Sequence, residues 1–235
     1  MNRLLRVLAT SCLACFGANA AIITTFEAAG VQHTTVGGTV EEGFEAASVG
    51  VFSGPTVAGT FSVGGERVKL SDIYGSSNKY LDIGLYGTGA VTAGAPPYSY
   101  TVTFGAAINY FGFYWAAVDG DDKVEFFNGV TLVGTYNSTL FAGLPAGYWK
   151  VNGAEVPPTT TEPYAFVNFL GIGGTVFDSV KFTNGGPGTG FETDNYTVLL
   201  DGTVRQFDVP EPATFGLAGL SLALLAYAFR KRATA

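Results

Sequence analysis

The sequence predicts an all-β protein, and three observations lead to that fold class. Glycine is abundant, with 33 residues, and Phe and Tyr together account for 31 of the 235 residues. Short apolar segments alternate with Gly, Asn, Asp and Pro, which is typical of strands separated by tight turns. Long helical periodicity is absent before the C-terminal tail. We therefore expect an antiparallel two-sheet β-sandwich of jelly-roll type, with roughly ten to twelve strands.

The candidate strands begin near the N-terminus and continue to residue 207. In 98–104, bulky residues alternate with Ser and Thr, so one face is buried and the other is wet. The stretch 108–118 is almost continuously apolar and rich in aromatic residues, which favours a central strand covered on both faces. The other candidates are 22–26, 49–52, 60–63, 67–73, 123–127, 130–136, 164–170, 175–182, 196–200 and 203–207.

Turn residues predict two hairpins and one long loop. Asn128-Gly129 lies between two candidate strands, and both residues tolerate the positive φ that a type I′ turn requires. Asp201-Gly202 lies in the same way between the last two candidates. The stretch 144–163 contains four prolines and a Thr run, so we expect a surface loop there.

The N-terminus has the parts of a secretory signal peptide. Arg3 and Arg6 supply positive charge, an apolar stretch follows, and Ala18-Asn19-Ala20 is a small-x-small cleavage motif. We predict that signal peptidase cuts between Ala20 and Ala21. Residues 1–20 are then the signal peptide, and the secretion machinery is a partner.

The two cysteines, Cys12 and Cys15, both lie inside this predicted signal peptide. A mature chain without them has no disulfide, no cysteine metal site and no thiol nucleophile. The alternative is a lipoprotein modified on one cysteine, although the usual apolar residue three positions before the cysteine is missing.

The charge balance restricts the partners of the mature chain. The full sequence has 12 basic and 19 acidic residues. Removing Arg3 and Arg6 leaves 10 basic residues against 19 acidic ones, a net charge of −9, and loss of the tail gives about −11. Nucleic acid is therefore not an expected partner, because phosphate neutralisation requires Lys and Arg. Such a chain suits a soluble surface protein and attracts divalent cations.

The C-terminal tail has three parts with separate physical roles. Val209-Pro210-Glu211-Pro212 forms a stiff, accessible spacer, because proline removes a backbone donor and restricts the residue before it. The uncharged run 213–229 has 17 residues, at the short end of what spans a bilayer. Arg230-Lys231-Arg232 stays on the cytoplasmic side. We therefore expect an ectodomain at 21–208 and a membrane-inserted tail at 209–235.

This order of parts resembles the PEP-CTERM sorting signal of bacterial exopolysaccharide-producing species. The resemblance rests on Pro210-Glu211-Pro212, the apolar run and Arg230-Lys231-Arg232. It implies processing by exosortase, a membrane-embedded cysteine protease, near the Pro-Glu-Pro. It also implies an inner-membrane precursor and delivery to the cell surface or extracellular matrix. The alternative is a plain C-terminal membrane anchor.

A second resemblance lies in the middle of the ectodomain. The sequence FGFYWAAVD at 111–119, followed by VEFFNG at 124–129, is similar to the core of a group of exosortase-dependent surface proteins. The usual pattern of that group is close to FGFYWGSVD, a short loop and VxFYNG. This chain has Ala116-Ala117 in place of Gly-Ser, and Phe127 where Tyr is frequent. The resemblance implies a shared sorting route and gives no ligand.

The sequence offers little for catalysis. His33 is the one histidine, and no Gly-x-Ser-x-Gly motif accompanies it, so we expect an exposed loop residue. Glu41-Glu42 and Asp121-Asp122 are adjacent acids, which point to opposite faces if they lie on a strand and so make poor glycosidase pairs. We therefore expect no enzymatic activity.

Calcium is the strongest cofactor hypothesis, although no cofactor is certain. Ca²⁺ takes six to eight oxygen ligands, and jelly-roll carbohydrate-binding domains often hold one with a Glu from the first strand and an Asp near the last. Glu27 and Asp194 occupy similar places, and they would meet if the strand with Asp194 runs beside the first strand. The alternative is that both are polar residues at strand ends. The acidic turn 119–122 is a second candidate, for which a solvated turn is the alternative.

Aromatic residues give the candidate ligand contact. Tyr148 and Trp149 lie in the Pro/Gly-rich loop and are expected to be exposed, where their rings stack on a sugar or pack over the sandwich edge. Trp115 lies in the most apolar strand and is expected in the core.

These observations give one main functional interpretation. The chain is expected to be an exported, non-enzymatic surface or matrix protein that is sorted by exosortase and associates with exopolysaccharide or biofilm. The alternative is a carbohydrate-binding jelly-roll module that uses calcium, with polysaccharide as its partner.

Overall fold

The computed structural model describes residues 21–62, 66–70, 79–84, 97–151, 154–155, 162–186 and 189–199. These residues contain sixteen strands and two short 3₁₀ helices, Ser138–Phe141 and Ala146–Tyr148. In chain order the strands are β1 (Ala21–Phe26), β2 (Val40–Glu42), β3 (Gly50–Val51), β4 (Gly54–Thr56), β5 (Gly59–Phe61), β6 (Glu66–Leu70), β7 (Lys79–Gly84), β8 (Tyr98–Ile108), β9 (Tyr110–Ala116), β10 (Asp122–Asn128), β11 (Thr131–Asn137), β12 (Lys150–Val151), β13 (Ala154–Glu155), β14 (Ala165–Ile172), β15 (Phe177–Asn184) and β16 (Gly190–Val198).

The strands form two antiparallel sheets. The eight-stranded sheet has the order β1-β14-β9-β16-β7-β6-β3, with β2 paired to β16. The six-stranded sheet has the order β11-β10-β15-β8-β5-β4, and β12 pairs with β13 in a separate ladder. The all-β class and the two antiparallel sheets that the sequence predicts are therefore confirmed.

Aromatic rings fill the space between the two sheets. Phe113 of the eight-stranded sheet and Phe182 of the six-stranded sheet have ring centroids 5.1 Å apart, edge to face. Phe113 also stacks on Phe169 of the neighbouring strand, at 5.8 Å. Each fully buried ring of this kind contributes roughly 1.5–3 kcal/mol through removal of apolar surface from water. The many Phe and Tyr residues of the sequence thus serve mainly to fill the core.

The predicted central strand occupies the middle of the larger sheet. Every residue of β9 is buried, and β9 lies between β14 and β16. Trp115 is fully buried, as expected from its apolar surroundings. The alternation predicted for 98–104 also holds, because β8 alternates between buried and less buried positions until Phe104.

Gly112 permits the close packing of β9 against β14. A Cβ atom added to Gly112 would lie 2.7 Å from Cε1 of Phe166 and 2.8 Å from the Tyr110 hydroxyl. Both distances are shorter than side-chain atoms tolerate, so glycine is the residue that fits between these two rings.

The hairpin at Asn128-Gly129 is confirmed, but its predicted turn type is wrong. Asn128 pairs with Thr131, which places Gly129 and Val130 at the two turn positions. Gly129 has a φ of 58°, whereas Asn128 and Val130 lack positive φ. A β-bulge between Phe126 and Phe127 shifts the register, so the Asn-Gly dipeptide does not form the type I′ turn.

Strand β16 differs from the predicted strand 196–200. It begins at Gly190 and so includes Asp194, and its neighbours are β9, β7 and β2. It does not run beside β1, since β14 and β9 lie between them.

Several predictions concern residues outside the described ranges. These are the signal peptide at 1–20, the hairpin at Asp201-Gly202 and the membrane-inserted tail at 209–235. The chain divides into two compact units, Met1–Arg205 and Gln206–Ala235, of which the second lies wholly outside the described residues. Among the residues that are described, no helix has the length and apolar character needed to cross a membrane.

Candidate functional site

Polar residues are concentrated on the outer face of the eight-stranded sheet. Alternation along β9 directs Phe111, Phe113 and Trp115 into the core, whereas Tyr110 and Tyr114 lie on the opposite side. We call that side the outer face. The segment between β1 and β3 contacts it, so its polar groups are enclosed even though they lie outside the sandwich core.

Glu27 is the centre of a hydrogen-bond network on this face. Its Oε1 accepts hydrogen bonds from the Thr35 backbone N–H at 2.9 Å and from Asn168 Nδ2 at 3.0 Å. The Thr35 hydroxyl donates to Oε2 at 3.0 Å. Asn168 Oδ1 in turn accepts from the hydroxyls of Thr34 and Tyr110, at 2.9 and 2.8 Å. The network ties Thr34 and Thr35 to strands β14 and β9.

The network keeps Glu27 ionised although the residue is buried. Burial acts to raise the pKa of Glu27, but the hydrogen bonds from Thr35, Asn168 and Thr34 outweigh it and lower the pKa. The hydrogen bonds to both oxygens of Glu27 therefore explain how this carboxylate can be buried.

Asp194 lies at an irregular point of β16. The strand has a register shift between Asp194 and Thr197, and Asn195 adopts a φ of 53°. The Asp194 side chain is 1% exposed, and its Oδ1 accepts from the Asn195 backbone N–H at 2.8 Å. Burial, followed by the nearby charges of Glu45, Glu41 and Glu42, raises the pKa of Asp194 to about 8.

The structure does not bring Glu27 and Asp194 together. Glu27 N–H bonds to the Phe166 carbonyl, Phe166 pairs with Tyr114, and Tyr114 pairs with Asp194. The two acids therefore occupy one row across the sheet with two strands between them, a separation of roughly 14 Å. One ion cannot bind both carboxylates at that distance. In the described part of the chain, no group of three or more His, Cys, Asp or Glu residues is placed to hold a metal.

The acidic turn 119–122 is less solvated than expected. Asp121 is exposed, but Asp122 is 1% exposed and accepts hydrogen bonds through Oδ2 from Trp115 Nε1 at 3.2 Å and the Asp119 backbone N–H at 3.0 Å. Its Oδ1 is buried without a hydrogen-bond partner. Burial raises the pKa of Asp122 well above its ordinary value. The turn thus closes the end of β9 onto the start of β10.

Tyr148 and Trp149 are half-buried rather than exposed. The Tyr148 hydroxyl donates to the Glu27 carbonyl at 2.6 Å, and its ring lies 6.3 Å from that of Phe26. Trp149 Nε1 donates to the Leu144 carbonyl at 3.3 Å. Both polar groups thus bind backbone oxygens of the protein. This geometry supports the packing alternative that the sequence left open.

His33 is exposed, as predicted, with 61% of its side-chain surface accessible. Its Nδ1 lies 2.9 Å from Oε1 of Glu41. Glu41 and Glu42 lie on β2, where Glu42 Oε1 accepts from the Phe44 backbone N–H at 2.8 Å. These acids have partners within the covering segment and do not form a facing carboxylate pair with each other.

Three contributors to the outer face were not identified from the sequence. Asn168 is the polar residue within the apolar strand sequence AFVNFLGI, which is the signal that could have identified it. Thr34 and Thr35 lie in a weakly patterned stretch, where nothing in the local sequence indicates that they bind Glu27.

The match to a known family lies in the tail. Residues 208–232 match the PEP-CTERM protein-sorting motif. This chain is a PEP-CTERM domain-containing protein. The motif implies exosortase-dependent sorting, with exosortase as the processing partner, and it implies an exported protein directed to the cell surface.

Other comparisons are weaker. No curated protein matches the chain. Among solved structures, the K2 cleaved adhesin domain of Lys-gingipain (Kgp) is similar, with a TM-score of 0.40 and 15% identity over 68% of this chain and 98% of that domain. The K1 cleaved adhesin domain of the same protein from Porphyromonas gingivalis W83 has a TM-score of 0.41 and 13% identity over 71% of this chain and 100% of that domain.

Proposed function

We propose that this chain is a non-enzymatic protein of the cell surface or extracellular matrix whose β-sandwich of jelly-roll type is displayed outside the cytoplasm. The PEP-CTERM match at 208–232 carries the proposal. Before processing, the run 213–229 holds the precursor in the inner membrane with Arg230-Lys231-Arg232 in the cytoplasm. Exosortase then processes the chain near Val209-Pro210-Glu211-Pro212.

The proposed mature chain keeps the described part of β1. Ala21 pairs with Ile172 of β14, and a cut between Ala20 and Ala21 leaves that pair in place. The excised segment would carry away both cysteines, Cys12 and Cys15, which leaves a domain without a disulfide.

Mutation of the sorting motif tests this proposal. The chain with Pro210→Ala and Pro212→Ala should remain in the membrane fraction at precursor size, while the wild type reaches the surface fraction in a smaller form. The matched control is Pro145→Ala, at an exposed proline outside the motif. Surface delivery of the double variant at wild-type size and yield would contradict the proposal.

Association with exopolysaccharide is the finer part of the proposal. Its basis is the sorting signal, since the described residues give no cluster that identifies a sugar site. Co-sedimentation of the full-length protein with exopolysaccharide from the native cells tests it, and binding that Trp149→Ala abolishes would favour the carbohydrate-binding alternative. Repeating the assay with millimolar Ca²⁺ and with chelator tests whether that binding depends on calcium.

A further inference from the structure

One segment of the chain covers the outer face where the buried Asp194 lies. Residues 32–45 lie between β1 and β3 and include β2, and we call them the clasp. At one end, Thr34 and Thr35 bind the Glu27 network, and Asn195 Nδ2 donates to the Gln32 carbonyl at 2.9 Å. In the middle, β2 pairs with the last three residues of β16.

Phe44 anchors the other end of the clasp in the sandwich core. Its side chain is 0% exposed, and its ring lies 5.4 Å from Tyr196 and 5.8 Å from Phe61, edge to face in both cases. Phe44 has a φ of 60°, a conformation that costs a non-glycine residue free energy. The anchor therefore combines favourable burial of the ring with backbone strain.

Asp194 lies at the point where β16 changes its neighbour. Residues Gly190 to Thr193 pair with β7, whereas Tyr196 to Val198 pair with β2 of the clasp. The register shift between these two parts contains Asp194, which is almost completely buried. The clasp also brings Glu41, Glu42 and Glu45 close enough for their charges to act on Asp194. Ionisation of Asp194 in the closed clasp would thus place a fourth negative charge among three others.

The groups around Asp194 do not supply an equal positive charge. The Lys79 ammonium binds the carbonyl oxygens of Glu45 and Ala47, at 2.8 and 2.6 Å, and His33 lies against Glu41. The described titratable and charged groups on the elements packed around Asp194 are Glu41, Glu42, Glu45 and His33 of the clasp, Lys79 and Asp82 of β7, Tyr114 of β9 and Glu192 of β16.

We propose that the clasp is a pH-sensitive device that is closed over protonated Asp194 and is released as that carboxyl group ionises. The release is local: the core rows of β9 and β14 stay paired while residues 32–45 detach from the outer face. This would expose the outer face, including Tyr110, Tyr114 and Asn168, at neutral to alkaline pH more often than in acid.

The pH dependence of clasp closure follows from the direction in which closure changes the pKa of Asp194. In the open clasp Asp194 is solvated and has an ordinary pKa near 4, whereas closure raises it to about 8. Below about pH 4 the hydrogen bonds from the clasp to Glu27 weaken as that carboxylate takes up a proton. The contribution of Asp194 to the closed state is complete below about pH 4 and is lost as the pH rises toward about 8. Over that range, each pH unit raises the ratio of open to closed clasp by about tenfold, and the ratio levels off above about pH 8.

Hydrogen exchange of the purified full-length protein tests the proposal. Protection of clasp amides, corrected for intrinsic exchange, should fall about tenfold per unit between pH 5 and 8. In Asp194→Asn it should change by less than about threefold over the same range, since no carboxyl ionises there. The matched control is Asp178→Asn, on β15 outside the clasp, which should keep the wild-type dependence.

Glu45→Gln provides a second test of the pH-sensitive clasp if Asp194→Asn does not fold. Glu45→Gln removes the strongest of the charges that raise the Asp194 pKa, so the loss of protection should level off at a lower pH. Wild-type protection that does not depend on pH would overturn the proposal. So would a Glu45→Gln curve identical to wild type, or clasp amides that exchange only together with those of β9.

Discussion

Glu27 shows how burial and hydrogen bonding oppose each other at a single carboxylate. Since hydrogen bonds hold its pKa below the ordinary value, Glu27 adds stability that is present above its unfolded pKa and is lost as pH falls through the lower folded pKa. Glu27→Gln should lower the free energy of unfolding at pH 7 by about 1–3 kcal/mol, because charge-assisted hydrogen bonds to Thr35 and Asn168 are weakened. Urea unfolding from pH 7 to pH 2 measures this difference.

The difference between wild type and Glu27→Gln should shrink as the pH falls below about 4, where Glu27 becomes protonated. Glu125→Gln, at a carboxylate in a surface pair with Lys123, is the matched control and should change stability by less than about 0.5 kcal/mol. A Glu27→Gln protein as stable as wild type at pH 7 would contradict the structural role of the network.

Asp122 presents the opposite balance. Its pKa is raised by burial, so the stability associated with its neutral form is present below the unfolded pKa and is lost as the pH rises. Asp122→Asn should therefore be more stable than wild type at pH 8, by about 1–2 kcal/mol, with the gain vanishing near pH 4. Thermal melts at the two pH values measure it.

Asp122→Ala separates charge from hydrogen bonding at the same position. This variant lacks the acceptor for Trp115 Nε1 and the Asp119 N–H, and it should be less stable than Asp122→Asn at every pH. Equal stability of the two variants would show that the hydrogen bonds contribute nothing and that only the charge matters.

Single residues were predicted from the sequence where their local pattern was distinctive. Trp115 in an aromatic run and His33 in a polar loop are placed as expected. Glu27 was singled out for calcium, yet its oxygens bind Thr35 and Asn168, which are 8 and 141 positions away in the chain. Contacts at such separations leave no local pattern, so the sequence identified the residue without identifying its role.

At the scale of the element, the β10–β11 hairpin depends on one glycine. Gly129 has a φ of 58°, and its N–H donates to Asp178 Oδ2 at 2.8 Å. A Cβ atom there would meet nothing within 4 Å, so Gly129→Ala should cost only the backbone strain, about 1 kcal/mol. Chemical denaturation with an unchanged m-value is the measurement.

The neighbouring residue gives the control for this prediction. Val130 is 99% exposed, so Val130→Ser should alter stability by less than about 0.5 kcal/mol. If Val130→Ser destabilises the protein more than Gly129→Ala does, the turn positions deduced from the register are wrong.

The strands themselves were largely predictable, whereas their exact register was not. Period-two alternation in β8 and the continuous apolar run of β9 come directly from burial on one or both faces. The bulge between Phe126 and Phe127 moved the turn by one residue, and no local signal marks it. The second irregularity, at Asp194, likewise depends on β16 having β7 and β2 as successive neighbours.

At the scale of the whole molecule, composition identified the fold class but could not give the order of the strands. Many Phe, Tyr and Gly residues with frequent turns suffice for an antiparallel sandwich. The order decides which acids meet, and two intervening strands keep Glu27 from Asp194. The sorting signal is different, because its proline pair, apolar run and basic triplet are contiguous and need no tertiary structure to be identified.

If the tail directs this β-sandwich to the surface and is then removed, both ends of the surface form are defined. Mass spectrometry of the surface form isolated from native cells measures these termini. We expect an N-terminus at Ala21 and a C-terminus near Pro210-Glu211-Pro212. A surface form that retains an intact tail through Arg230-Lys231-Arg232 would show that the tail is not removed.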